Sequence, residues 1–304
     1  MISLKQLRYF DSVARLKHFG RAAEQCAVTQ PALSMQIQEL ERELGVQLIE
    51  RSRSGVLLTE AGREIARRAS RVLSETRDIV DFARRQGNLL SGPLHLGVIP
   101  SIAPYVLPAL LPLVRDKFPD LDLHLRETQT DTLVDELLDG ALDLLLLALP
   151  VEDPEIETLK LFNDRFLLAM PKSRRITNRI RATPDLLEQD RLLLLEEGHC
   201  LRDQALSFCN LRRVDNIDTF GASNLSTIVQ MVANGLGMTL LPELSIKLEC
   251  RHDDIRLMRF TDPQPRRVVG LAWRKSSPRK SHFAELGKLI TEATSGQMLA
   301  SEAV

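Results

Sequence analysis

Apolar residues recur at three- and four-residue intervals over the first ninety positions, and the pattern changes to strand-like runs from Leu94 onward. Leu4, Leu7, Phe10, Val13 and Ala14 predict a first amphipathic helix. Phe19 to Cys26 follows as a short helix of small residues. After a brief break at Ala27-Val28, Thr29 is placed to cap a third helix with Pro31 in its first turn. Leu33, Ile37 and Leu40 form the apolar stripe of that helix, and its other face carries Gln30, Ser34, Met35, Gln36 and Gln38. Leu48 to Thr59 reads as two short strands around a turn bearing Arg51 and Arg53. Thr59 then opens a long helix to about Arg85. Its heptad seam is Gly62, Ile65, Ala69, Val72, Thr76, Ile79 and Ala83, widened by Leu73 and Val80. Gln86 to Pro93 breaks this helix and reads as a hinge.

Beyond the hinge, strand and helix alternate. Strands are expected at Leu94–Ile99, Leu121–Glu127 and Asp143–Leu149, helices at Ala103–Phe118, Leu133–Asp139 and Leu201–Phe208, and further elements at Phe166–Ala169, Leu192–Leu195, Leu225–Asn234, Met238–Leu241 and Val268–Trp273. The unbroken apolar run up to Leu149 suits a strand buried on both faces. Two α/β lobes with a cleft between them accommodate this order, and ligands in such sheets sit at the carboxyl ends of strands. From about Gly296 the pattern is lost and the end is expected to fray.

Two short helices across a tight turn, the second polar and uncharged on its free face, fit a helix-turn-helix reader of the DNA major groove. Ser34 and the glutamines suit base edges, Thr29 and Gln30 suit phosphate as well, and Arg51 and Arg53 on the wing suit the backbone. A plain three-helix packing module is the other reading, and the basic strand–turn–strand appendage favours the DNA reader. The heptad seam serves either a second copy of the chain or packing within one chain. A two-fold reader matched to two half-sites favours the dimer.

The chain has 304 residues, 44% hydrophobic and 27% charged, with formal net charge −1, so two or three compact units with real cores are expected. The charge is uneven: up to Leu90 there are 15 Lys and Arg against 11 Asp and Glu, and beyond it 25 against 30. A basic head on an acidic body restricts any nucleic-acid partner to the head. No apolar run approaches the ~20 residues of a membrane span, and no signal peptide is visible, so a cytoplasmic location is expected. Thiols are kept reduced there. Cys26, Cys200, Cys209 and Cys250 contain no C-x-x-C pair, and no Gly-rich phosphate loop, H-E-x-x-H or G-x-S-x-G motif occurs. No metal, no cofactor and no enzymatic activity are expected.

Cys200 and Cys209 lie nine positions apart in Gly198-His199-Cys200-Leu201-Arg202-Asp203-Gln204-Ala205-Leu206-Ser207-Phe208-Cys209. A regular helix would hold their Cα atoms roughly 13 Å apart. A disulfide needs them within about 7 Å, so the two bond only if the segment between them unwinds. From these residues alone, both are read equally well as apolar filler or as reactive thiols. Cys26 and Cys250 are read as buried filler. His199 is either reactive or a satisfied polar residue, and Asp203 either functional or a first-turn helix stabiliser.

The order of winged helix-turn-helix, linker helix and two-lobed α/β domain resembles that of the LysR-type transcriptional regulators over nearly the whole chain. Gly198 to Ala205 with Phe208-Cys209 is similar to the members of that family that sense hydrogen peroxide, supported by Gly97-Val98-Ile99-Pro100, Glu127-Thr128-Gln129-Thr130 and Pro265-Arg266-Arg267. The resemblance implies an α/β chain of three parts. These are a winged helix-turn-helix DNA-binding domain at 1–58, a dimerising linker helix and hinge at 59–91, and a two-lobed regulatory domain at 92–304, like the type 2 periplasmic binding proteins.

It further implies Cys200 as the peroxidatic thiol and Cys209 as its resolving partner, with Ser101, Thr130, His199, Asp203 and Arg267 lining a peroxide pocket. Ser101 stands where these sensors usually carry threonine, which keeps the hydroxyl and loses the methyl that stiffens its rotamer. A thiol of ordinary pKa is only about 3% thiolate at pH 7, so a lowered pKa is expected at Cys200, from the helix N-terminus, His199 and Arg267. The implied function is a peroxide-sensing activator of antioxidant genes, switched by a reversible Cys200–Cys209 disulfide. Its implied partners are double-stranded promoter DNA, RNA polymerase, further copies in a dimer and a tetramer, and thioredoxin or glutaredoxin as reductant. The alternatives are a LysR-type regulator of a small organic ligand held in the inter-lobe cleft, and a thiol peroxidase, against which the helix-turn-helix argues.

Overall fold

The computed structural model describes residues 1–52, 55–84, 90–174, 181–183, 186–187, 191–208, 217–250 and 254–300. The chain divides into two compact units, residues 1–87 with 136–141, and residues 88–135 with 142–304.

The first unit holds α1 (Leu4–Leu16), α2 (Phe19–Gln25), α3 (Gln30–Leu44), the antiparallel strands β1 (Ile49–Ser52) and β2 (Gly55–Leu58), and α4 (Glu60–Arg84). A capping box between Ser3 and Gln6 starts α1. Its buried face is Gln6, Tyr9, Phe10, Val13 and Ala14. Leu4 is exposed, because the core begins a turn later at Leu7 and Tyr9. Ala27 takes the left-handed conformation in the turn between α2 and α3. Leu33, Ile37 and Leu40 bury the stripe of α3 as expected. Glu41 ties this helix to the wing by accepting the N–H groups of Leu48 at 2.8 Å and Ile49 at 3.1 Å.

Thr59 accepts the Gly62 N–H at 2.8 Å and so caps α4. The heptad seam of this helix has two fates. Ile65 and Ala66 pack on the helix-turn-helix core, and Ala69 is buried in the same chain. Val72, Ile79 and Val80 remain 42%, 67% and 44% exposed. The single-chain reading therefore describes the first half of the helix, and the seam of the second half stays exposed.

The second unit is built on β3 (Gly92–Val98), β4 (Leu121–Glu127) and β5 (Leu144–Leu149), with α5 (Ala103–Lys117) and α6 (Thr130–Leu138) as crossovers. β3 pairs in parallel with β4 and with β5. The long β6 (Ile156–Pro171) pairs antiparallel with β11 (Arg266–Arg274) over its first part, and β11 returns to pair with β5. The second part of β6 pairs with β9 (Thr239–Pro242) and β10 (Ile255–Arg259). A parallel pair, β7 (Leu192–Leu195) and β8 (Ile217–Ala222), is joined to this second lobe by the bridge between Leu192 and Met238.

Around them lie α7 (Cys200–Phe208), α8 (Leu225–Ala233), a 3-10 turn at Glu243–Ser245, α9 (Ile246–Glu249) and α10 (Lys280–Ala300). The C-terminal helix runs to Ala300, beyond the point where fraying was expected. Among the described residues no helix is long and apolar enough to cross a membrane.

Candidate functional site

Three of the candidate sensor residues follow the carboxyl ends of parallel strands. Ser101 lies in the loop after β3, Thr130 is the first residue of α6 after β4, and Cys200 is the first residue of α7 after β7. The carboxyl ends of parallel strands are where such sheets leave room for a ligand. Arg267 comes from β11, which pairs with β5 and with the first part of β6, and its cross-strand neighbour on β6 is Asp164.

The guanidinium of Arg267 is fully buried and held on three sides. Nε donates to Asp164 Oδ2 at 2.9 Å, and Nη2 lies 2.8 Å from the same oxygen. Nη1 donates to Ser101 Oγ at 2.7 Å, and Nη2 donates to the Ser101 carbonyl at 2.9 Å. These contacts take four of the five N–H groups of an arginine, leaving one on Nη1. Burial holds the Asp164 carboxyl above its ordinary pKa, although the Arg267 charge and the Leu244 N–H both pull it down.

The Cys200 thiol departs from the expected lowering. Burial pushes its pKa up, and the Arg267 charge, the Thr130 hydroxyl and the Leu201 N–H at the helix start recover only part of that rise, while Asp203 adds to it. Two devices read from the sequence, the start of the helix and Arg267, do lower it. Desolvation outweighs them. His199 is buried, with Nε2 3.8 Å from Glu196 Oε1, and Asp203 faces solvent on the exposed side of α7.

Thr130 Oγ1 is buried with no hydrogen-bond partner, and its hydroxyl is among the influences that lower the Cys200 thiol pKa. One turn along α7 from Cys200, the amide oxygen of Gln204 is likewise buried without a partner. Gly198, at φ +89°, lies against the Gln129 carboxamide, where a Cβ would stand 2.6 Å from Oε1. Sequence reasoning missed Asp164, Gln204 and Gln129. The signal for Gln204 was available, since a residue at i+4 shares the helix face of Cys200. Cys209 lies outside the described residues, as does any distance from it to Cys200.

On the first unit, Thr29 occupies the N-cap of α3, but its side chain makes no capping bond and is exposed, as are Gln30 and Pro31. Met35 is 54% exposed. Ser34 and Gln36 are half-buried, and Gln36 donates to Glu39 at 2.7 Å. Arg51 lies on β1 and Arg53 lies outside the described residues. Among the described residues no cluster of His, Cys, Asp or Glu is arranged to hold a metal ion.

Residues 4–63 match the model of the bacterial regulatory helix-turn-helix proteins of the lysR family, and residues 87–295 match the LysR substrate binding domain. The chain is similar to the DNA-binding transcriptional dual regulator OxyR of Escherichia coli, 40% identical over 295 residues that cover 97% of each chain. It is also similar to a probable hydrogen peroxide-inducible genes activator of Streptomyces viridosporus, 44% identical over 293 residues, covering 96% of this chain and 94% of the relative. Among solved structures, a full-length OxyR variant from Pseudomonas aeruginosa matches with a TM-score of 0.83 at 38% identity, covering 95% of both chains. The chain belongs to the LysR family of bacterial transcriptional regulators.

Proposed function

We propose that this chain is a hydrogen-peroxide-responsive, DNA-binding transcriptional activator of antioxidant genes, switched by a reversible Cys200–Cys209 disulfide. The observation that carries the reading is that Arg267, itself bonded to Ser101, and Thr130 both act on the thiol at the start of α7. The names of the relatives, a regulator OxyR and a peroxide-inducible genes activator, agree with it.

The Cys200 thiolate attacks one oxygen of hydrogen peroxide. The S–O bond forms as the O–O bond breaks, and the leaving hydroxide recovers the thiol's proton and departs as water. Sulfur loses two electrons and becomes a sulfenic acid, and the peroxide is reduced. Cys209 then attacks that sulfur as thiolate, the S–S bond forms, the S–O bond breaks, and a second water departs.

Because burial keeps the thiolate scarce, speed is supplied in the transition state. Charge develops on the leaving oxygen, and fixed donors in a dry site stabilise it at no cost of reorganisation. Ser101 Oγ accepts from Arg267 and so retains its own hydrogen to donate, and Arg267 retains one N–H.

A small carboxylate ligand, the alternative signal, is met best by two parallel N–H groups of one arginine. Asp164 and Ser101 leave Arg267 only one. This favours peroxide.

The reader is residues 1–58, with Thr29, Gln30, Pro31, Ser34, Met35 and Gln36 on α3 and Arg51 and Arg53 on the wing meeting promoter DNA. Residues 59–91 join two copies, and residues 92–304 carry the sensor. Oxidation refolds the segment after Cys200 and changes packing between regulatory domains in a tetramer. That re-spaces the DNA-reading heads for recruitment of RNA polymerase in the cytoplasm. Thioredoxin or glutaredoxin returns the two electrons. The test is Cys200→Ser: the variant binds promoter DNA as before and its transcription ceases to respond to peroxide. A retained response overturns the reading.

A further inference from the structure

We infer that Asp164 is a positioning residue for the peroxide reaction, clamping the Nε edge of Arg267 so that its opposite edge is presented to Ser101 and the Cys200 sulfur. The inference rests on the reading of Cys200 as the peroxide-reactive thiol. It adds a residue 36 positions upstream in the chain, which the sequence gives no reason to select.

Asp164 is placed by the sheet. Register sets it directly opposite Arg267 on the antiparallel pair β6 and β11, so the two strands cannot slide without breaking the pair. Both side chains are completely buried. Each carboxylate oxygen has its own task. Oδ1 accepts the Leu244 N–H at 3.1 Å from the 3-10 turn, which fixes the carboxylate plane. Oδ2 takes Nε at 2.9 Å and Nη2 at 2.8 Å. With that edge pinned, the remaining N–H groups are aimed by geometry, because a guanidinium is planar and its five donors form a rigid fork.

The carboxylate is also the counter-charge that lets a guanidinium stay buried. A counter-ion alone need not be directional, and here it is bonded on both oxygens. Arg267 is the largest of the influences that lower the Cys200 thiol pKa. Asp164 bonds Arg267 directly, so it acts on the sulfur through the guanidinium it holds. When the Cys200 thiolate forms its bond to one peroxide oxygen and the O–O bond breaks, negative charge gathers on the departing oxygen. A donor displaced by about 1 Å at that moment costs on the order of 100-fold in rate.

The test uses the full chain and two electrophiles that share the thiolate but differ in what they leave behind. Hydrogen peroxide expels hydroxide and needs the donors. Iodoacetamide expels iodide and does not. Asp164→Glu keeps the charge and lengthens the arm by one methylene. The expected result is Cys200 oxidation slowed at least tenfold, with the pH midpoint and rate of iodoacetamide labelling unchanged. Asp164→Asn is expected to slow oxidation likewise, with a labelling midpoint no higher than that of the parent. If one variant fails to fold, the other decides. Wild-type oxidation rates in either folded variant overturn the inference, as does equal slowing towards both electrophiles, which marks a general disturbance of the pocket. If the parent chain itself shows no Cys200 oxidation, the reading of the site falls instead.

Discussion

Arg267 grips Ser101 twice, Nη1 donating to the hydroxyl at 2.7 Å and Nη2 to the carbonyl at 2.9 Å. One bond fixes the backbone at the end of β3, and the other orients the hydroxyl so that its hydrogen remains available to a third group. Losing a hydrogen bond to a charged group typically costs about 1.5–3 kcal/mol. Ser101→Ala is therefore expected to slow Cys200 oxidation by roughly 10- to 100-fold, and Ser101→Thr to restore it. Stopped-flow measurement of sulfenic acid formation checks both.

The raised thiol pKa at Cys200 sets the sign of the pH dependence. Thiolate grows as pH rises, so the oxidation rate climbs from pH 7 through the ordinary thiol range without levelling off. A thiol lowered to near neutrality would plateau there. The same shift works against stability at high pH. In the window above the ordinary thiol pKa the unfolded chain has released this proton while the folded chain still holds it, so stability falls as pH rises through that window. Rate profiles and denaturant melts at several pH values measure the two effects separately.

The outer half of α4 exposes Val72, Ile79 and Val80, of which Ile79 at 67% is the most open. Burying a side chain of this size contributes about 1.5–3 kcal/mol, and a two-fold interface counts it twice. Ile79→Lys is expected to raise the dimer dissociation constant by roughly 100-fold or more. Sedimentation of the full chain reads this directly, and an unchanged association state would contradict the pairing role of the helix.

Gly62 meets the wing where no side chain fits, since a Cβ there would overlap the Leu48 carbonyl oxygen. Alanine gains about 1 kcal/mol of helix propensity over glycine, but backbone overlap cannot be relieved by a rotamer change. Gly62→Ala is expected to destabilise the helix-turn-helix unit by about 2 kcal/mol net. A calorimetric scan of the full chain shows it as a lowered transition for that unit.

Local pattern carried much of the fold. The stripe Leu33, Ile37, Leu40 located α3 because one face of a helix is decided within two turns, and the all-apolar Leu144–Leu149 located β5 because a doubly covered strand needs no partner to be recognised. β6 was seen only at its end. Its first half alternates with polar residues such as Glu157 and Lys160, and its partner β11 lies about a hundred residues away. Leu4 misled for the opposite reason, since a regular apolar spacing says nothing of where neighbouring helices stop.

The site divides in the same manner. Cys200 stands one residue before the helix start expected at Leu201, whereas the helix expected from Leu133 begins three residues earlier, at Thr130. Asp164 is a buried acid whose partners are a guanidinium 103 positions later and a backbone N–H 80 positions later. Composition places acids outside, and only tertiary register brings this one in. The rise of the thiol pKa was illegible for a related reason, because desolvation belongs to the whole pocket and not to any neighbour in sequence.

The central claim is that two thiols in one short segment become one disulfide when peroxide arrives. A tryptic mass map of the full chain before and after one equivalent of hydrogen peroxide tests it most directly. The account predicts a new Cys200–Cys209 crosslinked peptide, lost again on reduction, with Cys250, whose thiol burial pushes up to about 11, remaining free. Recovery of both peptides uncrosslinked after the protein has consumed its peroxide, or a crosslink between other cysteines, would contradict it.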